Sequence, residues 1–489
     1  MKTRRHSPRR ACTAALAALL AMALPACTVL GPDFQHPAAA RPTSWPAQDS
    51  AAGAVELQWW NSFNDPVLAG LIAGALDHNL DLQTAAARIE QARAQRLAIA
   101  GAQWPTLDAA AGVTRDRHSA VGLLDPSNHN GATSYTLATA GLTASWELDL
   151  WGRVHRTVEA VDAGVDAAVE QRHAVRLAVA AETAHAYIAL RAAQSTAVLT
   201  QKNRAIARRS LALTTVRRDE GVATELDVAR ASAQVAAIEA RLPALAQRTD
   251  ALMSLLALLL AQPPQALSAR LQAQGDVAIP AGPPLTALGI PGELAARRPD
   301  IRRASALLHA ATAGIGAAQA DFYPRISLGA SIGSQALQLA DLGSWDSRNY
   351  GIGPTISLPL FDGGRRRGML QLSEARQREA ALLYRKTVLT AWHEVEDAAH
   401  AVRAQQQRHE RLAAAVLHTR SALGYAQQQY AAGSVDFLNV LAAQDALLHT
   451  EEALADSAAA ASLAQVDLYK ALGGGWQEPG GEEHAKLGP

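Results

Sequence analysis

No group of residues in the sequence completes a catalytic, nucleotide-binding or metal-binding site. His393-Glu394-Val395-Glu396-Asp397 begins like a zinc-protease helix, but Asp397 stands where the second zinc-binding histidine is needed. No phosphate-binding loop ending in Gly-Lys-Ser or Gly-Lys-Thr occurs. The 15 histidines are scattered and only 4 methionines occur, whereas a soft-metal relay needs clustered ligands. The sequence therefore predicts a protein that is not an enzyme and has no metal site or cofactor.

Cys27 is the residue best suited to covalent modification. Residues 1–26 have a basic start and a short apolar run, as in a secretory signal peptide, and contain the only other cysteine, Cys12. Leu24-Pro25-Ala26-Cys27 resembles the bacterial lipobox, whose cysteine is acylated, and Thr28 replaces the aspartate typical of inner-membrane lipoproteins. We expect an outer-membrane lipoprotein with a covalent lipid on Cys27. The alternative is an incidental cysteine near an ordinary cleavage site.

Composition and charge exclude other classes of protein. The chain has 45 basic and 45 acidic residues, so its net charge does not favour binding of nucleic acid. Mean hydropathy is −0.03 and 18% of residues are charged, values that do not fit a disordered chain. Alanine is abundant while aromatic residues make up 4% of the chain. Closely packed helices of small residues therefore fit better than a thick core.

The second half of the chain repeats the first half. Asp81-Leu82 recurs as Asp300-Ile301, and Gly221 recurs as Gly433. Each of these two glycines follows a long segment without proline, which predicts a long helix, a turn and a returning helix. Each copy is therefore predicted to run helix, two strands, long helix, glycine turn and second helix.

Four predicted strands alternate apolar side chains with small or polar ones, and they lie at about 106–115, 135–150, 325–334 and 350–360. Such segments suit a membrane β-barrel, and a soluble sandwich with one wet face is the alternative. Four strands cannot close a barrel, because an open edge in lipid leaves backbone groups unpaired. The smallest membrane barrels have about eight strands. The sequence therefore predicts an oligomer.

We divide the chain into six segments, bounded by the signal and the two repeats. They are a signal peptide (1–26), a lipidated N-terminal segment (27–64), a first repeat (65–261), a linker (262–291), a second repeat (292–473) and a flexible C-terminal tail (474–489). The predicted fold class is mainly α with membrane β, in a tandem duplication of one strand-strand/long-helix unit.

Motifs spread in order from Cys27 to about Gly473 resemble one known family. They include Gly31-Pro32-Asp33-Phe34, Trp59-Trp60, Leu148-Asp149-Leu150-Trp151-Gly152-Arg153, Arg297-Arg298-Pro299-Asp300-Ile301 and Leu360-Phe361-Asp362-Gly363-Gly364-Arg365. The chain resembles the outer membrane efflux factor family (TolC-like), in particular its lipidated, NodT-type drug-efflux branch. The resemblance implies a homotrimer with a 12-stranded β-barrel in the outer membrane and an α-helical barrel that extends through the periplasm.

The resemblance also implies a function and partners. The trimer would be the passive outer-membrane exit duct of a tripartite pump for drugs or other small molecules. It would receive cargo from an inner-membrane proton-driven pump through a periplasmic adaptor protein. Ducts for type I protein secretion or for metal efflux are alternatives within the same family. A periplasmic adaptor lipoprotein and a lipid-anchored enzyme are alternatives from other classes, but the first has no use for membrane strands and the second needs a reactive site.

By resemblance, the hairpin turns carry the functional residues. The adaptor-contacting tip turns are Gly221 with Val222 and Gly433 with Ser434, and the matched periplasmic gate positions are Asp227 and Tyr430. Capping of a helix is the alternative role of Asp227.

Two other gate positions depart from the family pattern. Val435 and Ala442 stand where family members can carry a basic and an acidic residue. Other gate pairs would then involve Arg218, Glu225 or Asp436.

Overall fold

The computed structural model describes residues 29–36, 58–117, 134–272, 277–283 and 297–477. The predicted signal peptide (1–26) and the predicted lipidation site Cys27 lie outside the described residues, as do residues 273–276 and 284–291 of the linker and the tail beyond residue 477.

The described part of the chain contains eight α-helices and four strands, besides short 3-10 helices. The helices are α1 (Pro66–His78), α2 (Leu80–Ala100), α3 (Arg153–Asp219), α4 (Glu225–Leu259), α5 (Ser268–Leu271), α6 (Pro299–Ala320), α7 (Arg365–Ala431) and α8 (Phe437–Ala471). The strands are β1 (Thr106–Arg117), β2 (Ser134–Leu148), β3 (Arg325–Ala336) and β4 (Arg348–Ser357).

The duplication seen in the sequence is also present in the structure. Helices α3 and α7 each have 67 residues, and α4 and α8 each have 35. At 1.5 Å per residue, the long helices are roughly 100 Å in length. Each copy follows the predicted order, so α2–β1–β2–α3–α4 corresponds to α6–β3–β4–α7–α8.

The four strands form one antiparallel sheet in the order β1-β2-β3-β4. The register places Ala109, Leu142, Ile332 and Tyr350 in one row across the sheet. The three larger side chains of this row are exposed. The neighbouring row on the opposite face contains Asp108, Thr143, Ser331 and Gly351. The alternation read from the sequence is therefore in register over all four strands.

Strand β4 lies earlier in the chain than the sequence predicted. It runs over Arg348–Ser357 rather than about 350–360. Pro359 has no backbone N–H to contribute to a ladder, so the alternation of Leu358 and Leu360 continues beyond the last strand pairing.

The chain divides into two compact units. The first consists of Met1–Pro37, Ile89–Ala167 and Ala304–Tyr384, and holds the sheet. The second consists of Ala38–Arg88, Ala168–Arg303 and Arg385–Pro489, and is helical throughout its described elements.

The core of the second unit contains two buried aromatic residues, Trp59 and Tyr187. Trp59 is fully buried and stacks on Tyr469 with 5.4 Å between ring centroids. The hydroxyl of Tyr187 donates to the Asp65 carboxylate at 2.9 Å, and Asp65 also caps α1. Burial raises the pKa of Tyr187 to about 12, so it remains a neutral donor.

Two features extend this core to the C-terminal end of α8. Arg298 is buried, pairs with Asp300 and Glu394, and donates to the carbonyl of Ala471 at 2.9 Å. Trp476 donates to the carbonyl of Arg297 at 2.8 Å and stacks on His173. Residues 474–477, which the sequence assigned to the flexible tail, therefore pack on the second unit.

Candidate functional site at the hairpin ends

The turn between α3 and α4 is a glycine-terminated helix end. Gly221 has φ +76°, in the left-handed region that glycine adopts without strain. Its N–H donates to the carbonyl of Arg218 at 2.9 Å, and the N–H of Val222 donates to that of Arg217 at 2.8 Å. These two bonds form a Schellman motif, which satisfies the last carbonyls of α3.

The turn between α7 and α8 has the same geometry. Gly433 has φ +75°, and its N–H donates to the carbonyl of Tyr430 at 3.0 Å. The N–H and the hydroxyl of Ser434 both donate to the carbonyl of Gln429 at 3.0 Å. The four residues expected at the tip turns, Gly221, Val222, Gly433 and Ser434, are all exposed.

Asp227 takes part in a capping box at the start of α4. The N–H and the hydroxyl of Thr224 donate to its carboxylate at 3.0 and 2.7 Å, and the N–H of Asp227 donates to the Thr224 hydroxyl at 3.2 Å. The side-chain and backbone hydrogen bonds from Thr224 lower the pKa of Asp227. Within one protomer, Asp227 therefore makes the contacts of a helix-capping residue, which was the alternative role considered for it.

Tyr430 is buried in the last turn of α7. Its ring packs against Phe437 at 5.4 Å and belongs to a cluster with Leu423, Val440 and Leu447. Its hydroxyl is buried and accepts or donates no hydrogen bond among the described residues. The two predicted gate residues, Asp227 and Tyr430, are therefore not hydrogen-bonded to each other within the protomer.

Arg217 connects the ends of the two hairpins, and sequence reasoning missed it. Its guanidinium lies 4.4 Å from the centre of the Tyr430 ring. It also donates to the carbonyls of Tyr430 at 2.6 Å and Ala431 at 2.8 Å, at the C-terminal end of α7. A basic residue in the last turn of α3 was a visible signal for helix capping. That it caps a different helix was not visible, because the contact joins residues far apart in the sequence.

The alternative gate residues have local contacts. Arg218 pairs with Asp219 at 2.6 Å and with Glu225 at 3.2 Å, both on its own hairpin. Asp436 occupies the N-cap of α8 without a side-chain capping bond in the described structure. Val435 packs against the Tyr430 cluster, and Ala442 is exposed.

Ion pairs also join the helices of the hairpins at positions further from the turns. Arg208 of α3 pairs with Glu239 of α4, and Arg420 of α7 pairs with Glu451 of α8 at 2.7 Å. Arg241 of α4 pairs with Glu452 of α8 at 2.7 Å, so the two hairpins are also joined to each other.

In the part of the chain that the structure describes, no helix is both long and apolar enough to cross a membrane. No group of three or more His, Cys, Asp or Glu side chains there is placed to hold a metal ion.

Comparison with known proteins gives a consistent result over nearly the whole chain. The family model of the outer membrane efflux protein matches residues 71–260 and 290–474. The outer membrane protein OprJ of Pseudomonas aeruginosa is 35% identical over 471 residues, covering 94% of this chain and 96% of OprJ. The pyoverdine export outer membrane protein OpmQ of Pseudomonas putida is 33% identical, covering 96% of this chain and 98% of OpmQ.

Solved structures agree with these matches. The outer-membrane channel OprN superimposes with a TM-score of 0.86 at 33% identity, covering 92% of this chain and all of that one. The outer membrane protein VceC of Vibrio cholerae gives a TM-score of 0.79 at 30% identity, covering 87% of this chain and all of VceC. The resemblance read from the sequence motifs is confirmed, and the chain belongs to the outer membrane efflux protein family.

Proposed function

We propose that three copies of this chain form the passive outer-membrane exit duct of a tripartite efflux pump. The observation that carries the proposal is the open four-stranded sheet. Both of its edges, β1 and β4, lack a further partner strand in the described structure, and one face exposes an apolar row. Three such sheets joined edge to edge would close a 12-stranded barrel and satisfy every edge in lipid.

The cargo is proposed to be small molecules selected by the inner-membrane pump rather than by the duct. Relatives of similar identity are named for different cargoes, pyoverdine for OpmQ and toluene for TtgC of Pseudomonas putida. A water-filled duct imposes little selectivity among such cargoes. Electrophysiology and efflux assays with a matched adaptor and proton-driven pump test the proposal. Failure of a correctly inserted trimer to support the export of any small molecule by several such pumps would contradict it.

We propose that Cys27 carries a covalent lipid that anchors the mature chain in the outer membrane. Acyl chains contribute about 0.8 kcal/mol per buried CH₂, and the barrel adds its own insertion. Cys27→Ala should therefore abolish metabolic labelling with palmitate while leaving part of the protein in the membrane. Labelling that persists in the variant would place the lipid elsewhere.

The tip turns are proposed to contact the periplasmic adaptor. Their exposure and their matching geometry support this role. Single cysteines at Val222 or Ser434, combined with a photoreactive thiol reagent, should cross-link to the adaptor. Ala240→Cys, at an exposed position within α4, is the matched control. Equal cross-linking from all three positions would contradict a tip contact.

We propose that Tyr430, Asp227 and Arg217 together close the periplasmic end of the duct. Asp227 can act there in two ways, either by its charge facing the lumen or by holding the first turn of α4. Asp227→Ala removes both, whereas Thr224→Ala removes the cap and keeps the charge. A ring of aspartates favours cations. Asp227→Ala with Tyr430→Phe should therefore raise single-channel conductance and reduce cation selectivity.

The control variant separates the two roles of Asp227. If Thr224→Ala leaves cation selectivity unchanged while Asp227→Ala lowers it, the charge acts in the gate. If the two variants behave alike, Asp227 acts as a cap alone. Unchanged conductance and selectivity in all variants of an assembled trimer would place the gate elsewhere.

A further inference from the structure

A small hollow lies where the two helical hairpins meet in the second unit. We call α3 with α4 the first hairpin and α7 with α8 the second hairpin. Side chains from all four helices line the hollow, and they include Asn203, Gln234, Ile238, Leu423, Gln444 and Leu448. Its volume suffices for about one water molecule. A ligand held here would therefore be no larger than water.

The lining of the hollow combines apolar side chains with three amides. Leu423 belongs to the apolar cluster around Tyr430, and Leu448 belongs to a second buried cluster. The amides are those of Asn203, Gln234 and Gln444. No charged side chain lines the hollow in the described structure. The lining therefore suits a neutral ligand that forms hydrogen bonds rather than an ion.

Gln444 has a hydrogen-bond partner for only one end of its amide. Gln444 is 8% exposed, and its Nε2 donates to the Ser210 hydroxyl at 2.5 Å. Its Oε1 atom is buried and accepts no hydrogen bond from any residue that the structure describes. Buried polar groups nearly always have a partner in the protein or in ordered water, and an unpaired one costs free energy. This oxygen therefore points to a bound hydrogen-bond donor.

Water matches the hollow in size and in hydrogen bonding. A buried water typically makes about three hydrogen bonds. Besides Gln444, the amides of Asn203 and Gln234 line the same hollow, and Asn203 is also 8% exposed. An apolar ligand would leave these groups unpaired. A single water molecule can donate to Gln444 and exchange hydrogen bonds with the other two amides.

We propose that this hollow binds one water molecule, and that Gln444, bonded to Ser210 and to that water, fixes the register in which the two hairpins pack. Ser210 belongs to α3 and Gln444 to α8, so their hydrogen bond joins the two hairpins. Each lies 11 residues from the glycine of its own turn, which places the contact roughly 15 Å from the hairpin ends. The proposal concerns packing within one protomer, so it holds whether or not the hairpin ends form a gate.

A slip of one hairpin along the other would take the Gln444 amide away from these partners. One turn nearer the strands, α3 presents Ile206 and Ala207, whose side chains have no polar atom. One turn nearer the tip, the Thr214 hydroxyl already donates to the carbonyl of Ser210. A buried polar side chain between packed helices can select one register at a cost in stability. Gln444 therefore penalises a slip of one turn.

Other contacts between the hairpins constrain the register less. Arg241 of α4 pairs with Glu452 of α8, but the Arg241 side chain is 43% exposed. A long exposed arginine can follow a moving carboxylate, and such pairs contribute little stability. Arg217 binds the end of α7 rather than α8. The short buried bond between Ser210 and Gln444 allows much less movement.

The experiment uses the full-length trimer in lipid nanodiscs. A cryo-electron microscopy map that resolves ordered water tests the hollow. Spin labels attached at Ala205→Cys of α3 and Ala446→Cys of α8, two exposed positions, report the register by pulsed electron paramagnetic resonance in trimers that contain one labelled protomer. A sample without these two cysteines measures any label on Cys27.

Two variants separate the water from the hydrogen bond to α3. Gln444→Met keeps the length of the side chain and removes both amide groups. Ser210→Ala removes the partner on α3 and keeps all three amides of the hollow. Gln407→Met, at an exposed position of α7, is the matched control.

In the wild type and in Gln407→Met we expect one distance between the labels and density for water within hydrogen-bonding distance of Gln444 Oε1. Gln444→Met should lose the water and show a second distance, from protomers in which the hairpins have slipped by a turn of about 5.4 Å. Ser210→Ala should keep the water and show a smaller population at the second distance. A single unchanged distance in both variants would overturn the register role, and a wild-type map that shows other buried waters but none here would overturn the site. If Gln444→Met does not assemble, Ser210→Ala alone decides the register role.

Discussion

At the scale of single residues, four helix ends share one geometry but not one residue type. Gly221, Gly433 and Gly473 all have φ near +75°. Ala261 ends α4 in the same way, with φ +55° and with the N–H of Gln262 donating to the carbonyl of Ala257 at 2.8 Å. An alanine in the left-handed region carries a steric cost of about 1–2 kcal/mol that glycine avoids.

Replacement of Ala261 by glycine should therefore stabilise the protein. Relief of the steric cost outweighs the added freedom of glycine in the unfolded chain, for a net gain of about 0.5–1 kcal/mol. Ala261 is exposed, so no packing is lost. Ala240→Gly, at an exposed site inside α4, should instead cost about 1 kcal/mol. Thermal unfolding midpoints that fall in both variants would contradict the strain at Ala261.

The stability of the capping box of α4 should fall in acid and stay constant near neutral pH. Hydrogen bonds from Thr224 lower the pKa of Asp227 below its ordinary value of 3.8. A lowered carboxyl pKa gives stability that is present above that ordinary value and is lost as the pH falls through the folded value. Protection of the first-turn amides of α4, measured by hydrogen exchange, should be constant above about pH 5 and fall below about pH 3.5. Thr224→Ala should remove most of this pH dependence.

At the scale of elements, Arg217 joins the last turn of α3 to the last turn of α7. Removal of its side chain frees the carbonyl of Ala431, leaves that of Tyr430 with the N–H of Gly433 alone, and uncovers the face of the Tyr430 ring. Arg217→Ala should therefore speed the exchange of the Gly433 and Ser434 amides by about tenfold, which corresponds to roughly 1.4 kcal/mol. Arg218→Ala is the matched control, because Arg218 pairs only within its own hairpin in the described structure.

The same variant also reports on the gate. If separation of the two hairpin ends opens the duct, Arg217→Ala should raise conductance and Arg218→Ala should not. Faster exchange with unchanged conductance would keep Arg217 as a structural contact and exclude it from the gate.

The two faces of the sheet should differ in their tolerance of a charged substitution. Ile332 is exposed in the apolar row, and Ser331 lies next to it on the opposite face. Ile332→Arg should cost about 2–4 kcal/mol if it lies near the middle of the bilayer, and Ser331→Arg should be far milder. Unfolding by urea in lipid vesicles measures both. Equal losses would mean that the apolar row does not face lipid.

The local features of these elements could be predicted from the sequence, whereas the long-range contacts could not. Alternation over residues 106–115 and the glycines at 221 and 433 depend on neighbours in the chain, so strands and turns were visible. Arg156 and Arg217 act on partners more than a hundred residues away. The contact of Trp476 with His173 is also long-range. The glycine-rich composition near the C-terminus did not indicate it. The register of β2 with β3 also joins distant segments, and the strand pattern in the sequence did not predict it.

At the scale of the whole molecule, the protomer is incomplete in one respect. In the part of the chain that the structure describes, the sheet has two open edges and exposes apolar side chains, among them Leu142 and Ile332. An outer membrane efflux protein of this kind is expected to complete its sheet with copies of itself. The proposed gate and tip would then form threefold rings, so a change in one residue would be applied three times around the axis of the duct.

The most direct test of this account is the single-channel conductance of the purified trimer in planar lipid bilayers. We expect discrete conductance steps that are small and cation-selective in the wild type. We expect larger steps in Arg217→Ala and in the double variant Asp227→Ala with Tyr430→Phe, with Arg218→Ala resembling the wild type. An inserted trimer that gives no conductance steps in the wild type or in any of these variants would contradict the assignment as an exit duct.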